Sequence, residues 1–163
     1  MPAKIIEIHG ANRVTTAKTR VGCRGIVLQG PRMLISHEIN ADYYLIPGGG
    51  LEENETLAAC CAREIREETG YIVDPGLHFL TIHEYYGDYQ FVSHYFLCDV
   101  IGKAAQHLTA EEAERGLVPE WIDRSAMLSM YAKYNDFSDS NEEKSGAYLR
   151  EYTALKEYFK LFP

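Results

Sequence analysis

The chain predicts an α/β fold, a mixed β-sheet with helices on both faces. Three observations lead there. Strand-like runs recur along the chain, and two pairs of them are joined across short turns. Two stretches, 56–69 and 147–160, instead carry apolar residues at helical spacing. A glycine-rich turn, Leu45 to Gly50, joins a strand end to the first of these helices. Strands interleaved with a few helices need a sheet covered on both sides.

The elements follow in order. KIIEIH, Lys4 to His9, reads as a first strand. Arg20 to Gln29 and Arg32 to Glu38 read as a hairpin across Gly30–Pro31. Ile39 to Tyr44 reads as a loop leading to Leu45–Ile46. Pro47 ends that strand, because it has no N–H for a ladder, and the glycines after it let backbone approach a ligand. Thr56 is placed to cap a helix running to about Thr69, and Gly70 supplies a left-handed stop. Ala58, Ala62, Ile65 and Thr69 form its apolar stripe, with Leu57 and Cys60 on the side of its carboxylates. Leu77 to Tyr86 and Gln90 to Ile101 form a longer antiparallel pair around Gly87–Asp88. A loop at 102–118 leads to a short strand, PEWID. Ser125 caps a short helix to Tyr134, and Asn135 to Gly146 reads as a mobile polar stretch. Ala147 to Lys160 closes the chain as an amphipathic helix with Tyr148, Tyr152, Leu155 and Phe159 on one stripe.

A chain of 163 residues, 46% hydrophobic and 25% charged, has the size and composition of one globular domain, here 1–163. No apolar run approaches the roughly 18 residues that span a bilayer. The N-terminal stretch lacks the apolar core of a signal peptide. Cys23, Cys60, Cys61 and Cys98 show no metal-ligand spacing and read as reduced core thiols, which suits the cytoplasm. The net charge is −8. It concentrates in two stretches, 52–68 and 111–123. Such a surface repels a nucleic-acid backbone and suits a divalent cation, and through it a small polyphosphate.

The first acidic stretch carries the chemistry. Glu64, Glu67 and Glu68 stand at i, i+3 and i+4, so on a helix they share an arc of about 100°. Carboxylates that close repel one another unless a cation sits among them, and a hard ion such as Mg²⁺ or Mn²⁺ meets that need. By itself an E-x-x-E-E run is usually a solvated helix face. The flanking residues set this one apart. Residues 49–71 read G-x5-E-x7-R-E-I-x-E-E-x-G-Y.

That pattern resembles the signature of the Nudix hydrolase family, G-x5-E-x7-R-E-U-x-E-E-x-G-U with U a bulky aliphatic residue. Every fixed position matches, and the one departure is Tyr71 at the last U. The resemblance implies the family's α/β/α sandwich and a Mg²⁺-dependent pyrophosphohydrolase with Mn²⁺ as a substitute. Its substrate would be a nucleoside diphosphate linked to another group, split into a nucleoside monophosphate and a phosphorylated remainder. It implies Glu64, Glu67 and Glu68 as metal ligands beside Gly49, with Glu64 a ligand or the base. It implies that Arg63 orients a carboxylate and that Glu55 ties the loop to the helix, with Gly70 as structural support. The same residues with a non-catalytic role would make a nucleotide-sensing regulatory module. Such relatives usually lose a helix glutamate, and here all are present. Relatives are often dimers, so a homodimer is one expectation.

The second acidic stretch offers a further carboxylate. In many relatives a loop after the long strand pair supplies an extra ligand or base. Glu111, Glu112 and Glu114 hold that place and spacing does not rank them; Glu112 is chosen here. Arg24, on an otherwise apolar strand, is a candidate phosphate or base contact, with a sheet-edge surface arginine as the alternative. Tyr89 falls near the distance at which dinucleoside-polyphosphate enzymes place a tyrosine. The crowded aromatics from Tyr85 to Phe96 read as core or cross-strand pairs, with one free to stack on a base. His37, His83 and His94 read as strand-surface residues. The proline that often follows the signature in ADP-ribose hydrolases is not matched by Pro75 or Pro119. Nucleoside triphosphates, nucleotide sugars, ADP-ribose and dinucleoside polyphosphates all stay open as substrates.

Overall fold

The computed structural model describes residues 2–10 and 18–163. The described strands are β1 (Lys4–His9), β2 (Lys18–Gln29), β3 (Arg32–Glu38), β4 (Tyr43–Leu45), β5 (Gly48–Gly50), β6 (Tyr71–Tyr86), β7 (Tyr89–Lys103) and β8 (Leu117–Asp123). The helices are α1 (Leu57–Thr69), α2 (Ala110–Glu114), α3 (Arg124–Tyr131) and α4 (Glu142–Leu161). The strand path runs β1–β6–β7–β2–β3–β4, with β5 beside β2 and β8 beside β3. The pairs β1–β6 and β2–β7 are parallel and the others antiparallel, so the sheet is mixed as expected.

Two layers of core hold helices to this sheet. On one face Cys61 and Ile65 of α1 pack with Cys23, Val27, Phe96 and Cys98. On the other, Met127 and Tyr131 of α3 and Tyr148 and Leu155 of α4 pack with Ile26, Leu80, Ile82 and Tyr95. The alternation of side chains along a strand sends Cys23 to α1 and Ile26 to α4. All four cysteines are buried and unpaired, with Cys61 and Cys98 sulfurs 3.7 Å apart. Among the described residues no helix is long and apolar enough to cross a membrane.

Several expectations need correction. The first hairpin is paired only at its tip, Leu28–Met33 and Gln29–Arg32. Beyond it β2 pairs with β5 through Gly22, Cys23 and Arg24, while β3 turns away to β4 and β8. The predicted loop at Ile39 to Tyr44 ends in strand β4, which begins at Tyr43. The predicted loop at 102–118 contains the end of β7 and α2. The polar stretch 135–146 is ordered as a 3₁₀ turn, Tyr134–Phe137, and the first turn of α4, capped by Asn141. Asp123, not Ser125, caps α3, accepting the N–H groups of Ser125 and Ala126. On α1 the fully buried positions are Cys60, Cys61, Ile65 and Thr69, with Ala58 and Ala62 partly covered. Cys60 is buried because β5 folds over it, its thiol 3.6 Å from the Gly49 carbonyl. On α4 the buried stripe is rotated to Tyr148, Glu151, Leu155 and Tyr158, because Glu151 has internal partners.

Candidate active site

The local sequence fixes α1 at both ends. Thr56 Oγ1 accepts the Ala59 N–H at 3.1 Å, satisfying an orphan donor of the first turn. Gly70 takes φ +79° and its N–H returns to the Arg66 carbonyl. A Cβ there would lie 2.5 Å from the Ala104 carbonyl oxygen, so the position needs glycine twice over.

Arg63 joins the loop to the helix. Its Nε donates to Glu55 at 2.6 Å and its Nη2 donates to Glu55 at 3.0 Å and to the Gly50 carbonyl at 2.9 Å. Its Nη1 donates to Glu64 at 2.9 Å and to Glu67 at 3.2 Å. One guanidinium therefore anchors β5, the loop after it and two of the three helix glutamates. The planar fork with five donors makes this an arginine's task rather than a lysine's. Its grip holds the Glu55 carboxyl well down, at about 2, and the two carboxylates raise the Arg63 value further.

Glu64 lies against β5. A Cβ on Gly49 would fall inside van der Waals contact with the Glu64 carboxylate, so only glycine leaves that oxygen its place. Glu68 accepts from Ser36 Oγ at 2.8 Å and from the Gly48 N–H at 3.3 Å. It thus sits at the split where β2 passes from β5 to β3. Burial pushes Glu68 up to about 8, against the pull of Arg24 and Ser36, and burial also raises Glu64. In both, burial is the main cause, since it penalises the charged form.

The three glutamates are not gathered into one ligand cluster. Among the described residues no three His, Cys, Asp or Glu side chains meet at metal-binding geometry. Arg63 draws Glu64 and Glu67 to itself, and Ser36 draws Glu68 the other way. The donor types still fit a hard divalent ion: carboxylate oxygens, with the Gly49 backbone against Glu64.

The structure separates the three acids of the second stretch. Glu111 is exposed and reaches Arg115 at 4.0 Å. Glu112 adds a small upward push to Glu64 and Glu68, well behind burial. Its carboxylate accepts the Thr109 N–H at 2.9 Å in a capping box that opens α2. That helix start is the alternative reading of the stretch, and the charge coupling to α1 holds beside it.

A cleft of ≈ 960 Å³ opens on the α4 side of the sheet and runs up to Gly49 and Gly50. Arg24 lines it, with Nη1 donating to the Ile46 carbonyl at 2.8 Å. It is on a central strand, not at a sheet edge. Tyr89 is not among the cleft residues. It sits at the start of β7, 37% exposed, stacked on Phe91 at 5.8 Å. Phe91 and Tyr86, its neighbours at this hairpin, do line the cleft.

Glu38, Glu84, Arg115 and Arg150, not foreseen from the sequence, also line this cleft, and Glu151 lies buried behind them. Glu151 is fully buried and accepts from Tyr95 at 2.6 Å, Ile46 N–H at 2.6 Å and Arg150 Nε at 3.1 Å. Arg150 also faces Glu84 at 3.7 Å, and Arg115 binds Glu38 at 2.5 Å. A signal existed for Glu84. It continues the inward alternation Leu80, Ile82, and an acid at a core position demands a partner. Of the histidines, His37 pairs with Glu120 at 2.8 Å and stacks on Tyr44. His94 is half-buried, not a surface residue, and joins His78 and Thr81 in a hydrogen-bonded triangle.

A family model described as NUDIX domain matches residues 18–140, well over half of the chain. No curated protein sequence matches the chain. Solved structures share its fold. A NUDIX hydrolase from Nitrosomonas europaea is 21% identical, with 70% of this chain and 78% of that one covered and a TM-score of 0.59. A UDP-X diphosphatase is 14% identical, covering 69% of this chain and 54% of its own, with a TM-score of 0.54. A MutT NUDIX hydrolase from Burkholderia pseudomallei is 19% identical, covering 66% and 84%, with a TM-score of 0.51.

Proposed function

The chain belongs to the NUDIX family, and we propose that it is a Mg²⁺-dependent pyrophosphohydrolase of nucleoside diphosphate derivatives. Its class is that of hydrolases acting on pyrophosphate bonds. The observation that carries the finer reading is the Arg63 hub, which ties Glu64 and Glu67 to β5, whose Gly49 and Gly50 line one end of the cleft. A regulatory module that only binds nucleotide has no need for three preserved carboxylates at fixed spacing.

In this reading Glu64, Glu67 and Glu68 hold the divalent ion, with Gly49 alongside. When bound, such an ion neutralises pyrophosphate oxygens and makes water a better nucleophile at neutral pH. The protein's own residues do the rest. Arg63 keeps loop and carboxylates in register. Gly48 to Gly50 let the phosphates approach backbone. Arg24, in the cleft wall, supplies positive charge toward the phosphates. Glu112 takes the proton from the attacking water, with Glu64 as the other candidate base. A UDP-X diphosphatase among the solved structures of the same fold supports UDP derivatives as early substrates to assay. The buried, unpaired cysteines support a cytoplasmic setting.

A product screen over nucleoside triphosphates, nucleotide sugars, ADP-ribose and dinucleoside polyphosphates tests this directly. Hydrolysis should appear with Mg²⁺, vanish with EDTA and return on adding Mg²⁺. Nucleotide binding without turnover on every compound would give the sensing module instead. Full turnover in metal-free buffer would overturn the cofactor.

A further inference from the structure

Glu84 is a buried carboxylate paired with Arg150 yet short of a hydrogen-bond donor. It lies on β6 facing α4, 3% exposed, with its Oε1 lacking any hydrogen-bond partner among the described residues. Arg150, its nearest cation, stays 3.7 Å away and spends its Nε on Glu151. A buried carboxylate oxygen with no donor costs free energy unless something else supplies one. The residue lines the large cleft, so a bound molecule can supply it.

The surroundings say which molecule. Glu84 pairs in register with Phe91, and Tyr86, two residues on, points to the same face. Both rings line the cleft, their centroids 6.4 Å apart. An acceptor beside two aromatic rings suits a flat heterocycle with N–H donors, which can stack on a ring and donate to the carboxylate at once. Glu84 is also three strands from Gly50, along β5, β2, β7 and β6. At the usual strand spacing that is roughly 15 Å, a distance that sugar and base span together and a sugar alone does not.

We propose that Glu84 is a specificity residue that accepts a hydrogen bond from the exocyclic amino group of the substrate's nucleobase, with Phe91 against the base. Arg150 of α4 positions the carboxylate. This helix lies beyond the residues that the family model matches, so the subsite's outer wall belongs to this chain. The inference rests on the nucleotide reading above.

Equilibrium binding of nucleoside monophosphates with Mg²⁺ tests it, since these have no pyrophosphate bond to cleave. Three pairs differ at the amino position: AMP with purine riboside monophosphate, CMP with UMP, and GMP with IMP. At least one amino compound should bind about tenfold more tightly than its mate, the scale of a hydrogen bond to a charged group. Glu84→Gln should collapse that ratio. Phe91→Ala should weaken both members of the pair and leave the ratio standing. Should Glu84→Gln fail to fold by thermal melting, Glu84→Asp keeps the charge for Arg150, withdraws the oxygen and should lose the same ratio. No discrimination in any pair, a ratio that survives the Glu84 substitution, or a loss that follows 2′-deoxy substitution instead of the amino group overturns the proposal. Absence of hydrolysis across the substrate panel would sink the hydrolase reading while this ratio stays measurable.

Discussion

Arg63 shows how one side chain can hold a site together. It bonds to Glu55, Gly50, Glu64 and Glu67 at once. Around it, single substitutions separate ligand from support. Glu67→Gln or Glu68→Gln keeps shape and removes the charge of a proposed ligand, so kcat should drop by about 10²-fold or more while the circular dichroism spectrum persists. Near wild-type turnover in either variant would remove it from the ligand set. Glu112→Gln should lower kcat, and the deficit should shrink as pH rises and hydroxide replaces the missing acceptor. Glu111→Gln is the control, because its carboxylate is exposed and faces Arg115. If both variants match wild type from neutral to alkaline pH, the proton acceptor is Glu64.

At the scale of elements, α1 is the part that the sequence describes best. Its cap, length and stop are local, so the chemistry of Thr56 and Gly70 fixes them without reference to the rest of the fold. Urea denaturation should rank the two ends. Thr56→Ala should cost about 1 kcal/mol. Gly70→Ala should cost more, roughly 2 kcal/mol, since it adds left-handed strain to the clash with Ala104. Equal stability of Gly70→Ala and wild type would contradict the φ of +79°. The closing helix was legible as an element but not in its orientation. Counting Tyr148, Tyr152, Leu155 and Phe159 as the inward stripe treats acids as outward. Glu151 reverses this, because Tyr95 and Ile46, distant in sequence, supply its donors.

At the scale of the whole molecule, pH acts through groups that the fold brings together. His78, His94 and Thr81 form a triangle with edges of 3.1, 3.1 and 3.2 Å. Burial, with His78 and His83 beside it, lowers His94 to about 4, and burial lowers His78 as well. The unfolded chain therefore binds more protons than the folded one between an ordinary histidine value near 6.5 and about 4. Folding stability from this cluster is present above that window and is lost as pH falls through it. The raised carboxyls of Glu84 and Glu64 act with the opposite sign above their ordinary value. The comparison with His94→Asn isolates the histidine part. Between pH 6.5 and 4 wild type should lose on the order of 2 kcal/mol more than the variant. Parallel stability profiles would show that the triangle titrates normally.

The sequence by itself determined the strand–loop–helix unit, its caps, its three carboxylates and its family. All of these rest on short-range spacing, and a signature of fixed residues within 23 positions needs no knowledge of the fold. Tertiary structure decided what lies opposite them. It put Glu112 in the capping box that opens α2, and Arg24 in a cleft wall rather than on an edge. It also lined the cleft with Phe91 and Tyr86, and brought Arg150 to Glu84. The physical reason is separation along the chain. Spacing within one element fixes which side chains share a face. Which face meets which depends on register and packing between strands tens of residues apart, and a pattern of single residues does not encode that pairing.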